Sequence, residues 1–215
     1  MGEGGLLCVS FHLKTVHDSF LIRKVCFSDE STFCIGEETS QYVRRRTNET
    51  FKVECIRTTV KHPTSIMVCG VMSVFGTGSL YFVEGNMNSE QYQRVLENHL
   101  CPSLRQWFRR TGYMFMQDGA PCHRSAKITN YLKKNRIPLL SWPGNSPDMN
   151  PIENLWRIMK SELEKCTITT KDQLKKKIEE VWRSERIQTL CRTLVRSMPD
   201  RLAALKAAKG LHTKY

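Results

Sequence analysis

No apolar stretch of this chain is long enough to cross a membrane: Leu6–Val9 is short, and the run from Ile66 to Phe75 is interrupted by small and polar residues. A membrane partner is therefore not expected. The start of the chain also lacks the basic opening, apolar segment and small-residue cleavage site of an export signal. The nine cysteines are odd in number and contain no Cys-x-x-Cys pair, which excludes a disulfide framework or a four-ligand zinc site and leads us to expect reduced thiols and an intracellular protein. Cys122-His123 and Cys55 with His62 read as packing or turn residues before they read as partial metal ligands. No low-complexity linker divides the 215 residues, and a 40% hydrophobic content supports one compact domain. Acid is scarce: 21 Asp and Glu face 33 Lys and Arg, giving a net charge of +12, a balance that suits a polyanionic partner such as DNA.

The few acids that are present fall at telling places. Tyr113–Met116 is a short apolar run closed by Asp118-Gly119, which predicts a buried strand with Asp118 at its carboxyl end. Val25-Cys26-Phe27 is a second such run, followed by Asp29-Glu30. Pro143, Gly144, Pro147 and Pro151 then delay regular structure until Asn150, an N-cap residue type, opens a helix with proline in its first turn. Ile152, Leu155, Trp156, Met159 and Leu163 form the buried stripe of that helix, and Glu153 lies beside it. Each acid has an ordinary use. Glu153 suits a capping box with Asn150, Asp118 suits a turn, and Asp148 suits a structured loop. Together, two strand ends and a helix start would gather Asp29, Asp118 and Glu153. Like charges about 4 Å apart repel by roughly 1 kcal/mol in water and about 4 at a half-buried site. Bound Mg²⁺ or Mn²⁺ would make such a cluster favourable, two ions serving to clamp an in-line phosphoryl displacement.

Ser28-Asp-Glu-Ser31, Gln117-Asp-x-x-Pro-x-His123 and Trp142-Pro-x-x-Ser-Pro-Asp-x-Asn-Pro-Ile-Glu-Asn-Leu-Trp156 resemble the acidic motifs of mariner-like transposases of the Tc/mariner superfamily. The 34 residues between Asp118 and Glu153 agree with its Tc-type branch. The resemblance runs from Lys24 to Tyr215 and includes Tyr42–Arg46, Thr59–His62, Ser65–Gly70 and Ser197–Leu202; Cys69 stands where relatives usually have Trp. It implies an α/β, ribonuclease H-like mixed five-stranded sheet flanked by helices, with a C-terminal helical extension. It also implies that Asp29, Asp118 and Glu153 are the catalytic, metal-binding triad. Full-length relatives begin with two helix-turn-helix modules. Residues 1–23 do not resemble them, so we expect an unmatched tail, a catalytic domain over 24–215, a missing amino-terminal region and a complete carboxyl end.

The rest of the chain is read from pattern. Residues between Asp29 and Ile66 form a polar excursion with Arg44, Arg45 and Arg46, either a solvated face or, as the resemblance implies, an arm contacting DNA and a partner subunit. Ile66–Phe75 and Leu80–Val83 predict a hairpin about Gly76-Thr-Gly78. Asn88 opens a helix that Pro102 should bend or break, with His99 packed on its stripe. A helix is expected over Arg124–Asn135 and a strand over Pro138–Trp142. Pro121 and His123 are expected to shape the loop after Asp118, His123 also being a candidate DNA contact. Thr170-x-x-Gln173 caps a helix whose Lys175, Lys176 and Lys177 either follow a DNA backbone or form a solvated face. Further helices run to Ala208.

The expected function is a metal-dependent DNA transposase domain acting on double-stranded DNA, at transposon ends and TA target sites by resemblance, as a possible homodimer in the nucleus. The other reading is a transposon remnant, or a host-adopted DNA-binding protein, without productive catalysis.

Overall fold

The computed structural model describes residues 19–35, 64–109, 111–141 and 149–208. The expected arm with Arg44–Arg46, together with Cys55, His62, Trp142 and Asp148, lies outside them.

Three layers are built on a central strand. The elements in chain order are α1 (Ser19–Ile22), β1 (Val25–Cys34), β2 (Ser65–Ser73), β3 (Gly76–Thr77), β4 (Tyr81–Phe82), α2 (Ser89–Val95), a π turn (Leu96–Leu100), α3 (Cys101–Trp107), β5 (Met114–Met116), α4 (Ala126–Lys134), α5 (Pro151–Glu164), α6 (Lys171–Arg183), α7 (Glu185–Arg196) and α8 (Met198–Ala207). The five strands form one mixed sheet in the order β3-β2-β1-β5, with β4 also pairing with β2. β1 runs antiparallel to β2 and parallel to β5.

Side chains alternate across a strand, so β1 and β2 feed two cores. Val25, Phe27, Phe33, Ile66, Val68 and Met72 meet Ile152, Leu155, Trp156, Ile178, Trp182 and Val195 from the carboxyl-terminal helices. Cys26, Cys69, Val71 and Phe115 meet Tyr92, Val95, Leu100, Leu104, Ile128 and Leu132 on the other face. Ile22 at the end of the short α1 joins the first of these cores.

Three expectations change in detail. β1 extends to Cys34 through its pairing with β2, so Asp29 lies within a strand and not at its end. The hairpin turns one step earlier than its glycines suggest: Gly76–Thr77 is itself a strand, with Gly76 at φ 124°, a conformation favouring glycine. The strand expected at Pro138–Trp142 is reduced to a parallel bridge between Phe115 and Leu139. Two hydrogen bonds support it, Phe115 N to the Pro138 carbonyl at 2.8 Å and Leu140 N to the Phe115 carbonyl at 2.7 Å.

Pro102 does not break its helix. The ladder widens into the π turn just before it, and the helix resumes with Pro102 in the first turn of α3, where a missing N–H costs little. Five other helix starts follow their caps: Asn88, Ser125, Asn150, Thr170 and Ser184 each accept a bond from the first turn. Thr170 and Gln173 close a full capping box. Thr170→Ala should therefore lower stability by about 1 kcal/mol, read as a lower urea midpoint at unchanged slope.

Candidate active site

The parallel pairing of β5 with β1 stops at Phe27, so beyond that residue the β1 edge is covered by the start of α5 instead of a strand. Ser28 fastens this corner: its Oγ donates to the Met116 carbonyl at 2.9 Å, and Asn150 Nδ2 donates to the Ser28 carbonyl at 3.4 Å. Asn150 is buried and its Oδ1 accepts from Ile152 N at 3.4 Å. One residue thus caps the helix and ties it to the strand.

Asp29 follows Ser28 on the α5 side of the sheet. Its Oδ2 accepts a hydrogen bond from Trp156 Nε1 at 3.1 Å, and the Glu153 carboxylate lies near enough to act on its charge. Burial, then the charges of Glu153 and Glu30, raise its pKa to about 8. Two carboxylates so placed need a proton or a cation between them. Glu153 is thus turned toward Asp29 by the first turn of α5, while Asn150 makes its cap with Ile152.

Glu30, the next residue, points to the opposite face, as adjacent strand residues must. There its carboxylate lies 3.5 Å from His123 Nε2. His123 is 3% exposed, and its ring lies 3.9 Å from that of Tyr92 at 32°. Its Nδ1 donates to Asp118 Oδ1 at 2.5 Å. Burial opposes a charge on this imidazole, but the bond to Asp118 and the nearby Glu30 carboxylate outweigh it and raise its pKa to about 10. Asp118, two residues beyond β5, also accepts from Ala120 N at 2.9 Å, so it is a turn former as well. The His123 bond holds its carboxyl below the usual range against a partial burial penalty.

Among the described residues, the ligand atoms gathered within 4.8 Å of one another are those of Glu30, Asp118 and His123. Asp29 and Glu153 pair beside them. The chain therefore brings the expected acids into two adjoining groups, joined by the Asp29-Glu30 step. Sequence reasoning missed Glu30 and Trp156 as neighbours of the site. The alternation of strand faces signals the first; a Trp on an apolar helix stripe gives no sign of the second. The Asp29–Glu153 pair suits a hard divalent cation: its oxygens are close, buried enough to repel, and offer no soft ligand. Half-exposed Asp118 has a free side toward solvent.

The basic candidates are more scattered. Lys175 Nζ lies 5.4 Å from the centre of the Phe82 ring, Lys177 pairs with Glu180 at 2.7 Å, and Lys176 is exposed. His123 contributes to the site from inside.

The pattern of the family described as "DDE superfamily endonuclease" matches residues 24–175, a span containing Asp29, Asp118 and Glu153. This chain belongs to that family. The transposable element Tcb1 transposase of Caenorhabditis briggsae is 36% identical over 191 residues, 88% of this chain and 69% of that protein. The Tc1 transposase of Caenorhabditis elegans is 32% identical over 194 residues, 89% of this chain and 70% of that protein. Among solved structures, the Mos1 transposase catalytic domain with raltegravir and Mg aligns at a TM-score of 0.76 and 16% identity, covering 100% of this chain and 99% of that one. A Mos1 mariner paired-end complex with Mn aligns at 0.78 and 16% identity, covering 100% of this chain and 65% of that one. The fold is that of the Mos1 catalytic domain, ribonuclease H-like, and the DDE endonuclease domain here is a transposase catalytic domain of the Tc1/mariner type. Chemically it is a polynucleotidyl transferase-type nuclease. The chain spans about 70% of the length of the two worm relatives.

Proposed function

We propose that this domain cuts DNA strands at the ends of a transposable element and joins the freed 3′ hydroxyl to a target, with Asp29, Asp118 and Glu153 as the metal-holding acids. The observation that carries this reading is the Asp29–Glu153 carboxyl pair, set where β5 no longer pairs with the central strand and the start of α5 covers its edge. When bound, two Mg²⁺ or Mn²⁺ ions would activate water and the 3′ hydroxyl and neutralise charge on the transferring phosphate. Asp29 is held by Trp156 and Glu153 is presented by the first turn of α5, so both carboxylates are oriented before substrate arrives. Asp118 is half-exposed on the short loop that His123 anchors, in the group adjoining the pair. Arg44–Arg46 and the α6 lysines are the candidate contacts to the phosphate backbone, which give affinity without sequence choice. A homodimer, TA target sites and a nuclear location belong to the same reading.

Purified protein should nick a labelled duplex in Mg²⁺ or Mn²⁺, and Asp118→Asn or a chelator should abolish the nicking. A folded wild type that binds DNA in a salt-dependent way but never nicks would instead support the non-catalytic, host-adopted reading.

A further inference from the structure

The indole of Trp156 is 1% exposed and constrained on several sides. Its ring stacks on that of Trp182 with centres 5.1 Å apart and planes 16° from parallel. Phe33 of β1 meets it edge-on at 6.0 Å. Below lies Gly70, where a Cβ would come within 2.6 Å of Trp156 and 2.8 Å of Trp182, so the absence of a side chain is what lets both rings settle on β2. Trp182 is fixed in turn, its Nε1 donating to the Gly78 carbonyl at 2.8 Å. Held this way, Trp156 has one polar atom, and it donates to Asp29 Oδ2 at 3.1 Å. Asp29 itself is paired across β1–β2 with Gly70, directly under the stack.

We infer that Trp156 is a positioning residue for Asp29, its indole N–H occupying one carboxylate oxygen so that the other is aimed at the cation site beside Glu153. The inference rests on the reading of Asp29 as a metal ligand. Its physical basis is that an indole offers a donor and no acceptor, so the bond fixes orientation without competing for the cation. It also extends the site to α6: Trp182, beyond the residues matched by the family pattern, steadies the ring that steadies Asp29. A packing role alone would need the ring and not its N–H.

Trp156→Phe keeps an aromatic ring and removes the donor. In calorimetric titration of the whole chain with Mn²⁺ it should bind about 10- to 100-fold more weakly, and the Mn²⁺ concentration for half-maximal nicking should rise with it. Trp107→Phe, an aromatic change in the core on the other face of the sheet, should bind Mn²⁺ within about twofold of wild type. Wild-type Mn²⁺ affinity in a folded Trp156→Phe chain would overturn the inference while leaving the acids in place; wild-type affinity in Asp29→Asn would overturn the metal-site reading and the inference with it. Should Trp156→Phe not fold, indole ¹⁵N spectra of the wild type still decide. One of the four Trp side-chain signals should move both on adding Mg²⁺ and in Asp29→Asn, and the absence of any such signal would overturn the inference.

Discussion

Asp29→Asn should lower metal-dependent nicking by about 10³-fold, whereas Glu30→Gln, one residue along, should lower it by about tenfold. The first figure reflects the several kcal/mol of charge stabilisation that a metal site supplies and that loss of a ligand carboxylate forfeits. The second reflects position: Glu30 faces the other side of β1 and touches Asp118 only through His123, the kind of outer contact whose loss costs about 10- to 100-fold at most. A reversed order, with Glu30→Gln the more damaging, would mean that the Glu30–Asp118–His123 group holds the cation. Stability should move the opposite way. In the metal-free chain the Asp29 pKa is raised from 3.8 to about 8 by burial and by the neighbouring acids. The folded state therefore binds a proton that the unfolded state releases between those values, and the stability this contributes is present below about pH 4 and lost as pH rises toward 8. Asp29→Asn should flatten that decline without added metal. Thermal unfolding followed over that pH range, with a chelator present, checks the sign.

The helices could be read from the sequence because each announces itself locally. Asn88, Ser125, Asn150 and Thr170 cap helices whose buried stripes then follow the 3.6-residue period. Strand limits were less legible because pairing decides them. β1 continues through Ser28-Asp-Glu-Ser31 since β2 supplies a partner at every position, which no local pattern foretells. The segment after Ile137 is apolar enough for a strand but keeps only a bridge to Phe115. The acids of the site were legible as types and spacings, and their division between two faces follows from alternation once β1 is known to be continuous. What no residue pattern disclosed is what the acids lean on. His123, read as shaping the loop after Asp118, lies buried between Asp118 and Glu30, and Trp156, read as part of a buried stripe, also donates to Asp29.

Gly70→Ala should destabilise the fold by about 1–3 kcal/mol although it adds a single methyl group. At most strand positions alanine for glycine is neutral or favourable, because glycine is the poorer strand former. Here the added carbon would meet two rigid indoles at 2.6 and 2.8 Å, and neither can yield freely. Trp156 is fixed by Asp29 and Phe33, and Trp182 by the Gly78 carbonyl. For a domain of this size the loss amounts to a fall of roughly 2–4 °C in Tm per kcal/mol. Trp182→Ala relieves the contact from the other side but should cost more, about 3–5 kcal/mol, since it opens a cavity where a wholly buried ring was. Combined, the two should be less damaging than their sum, because the methyl group then enters space that the lost ring has vacated. Additive losses would show that the two residues do not share one packing site. Sub-additive losses would tie the helical extension to the strand that carries Asp29, so that packing between β2 and α6 also sets the rigidity of the acid site.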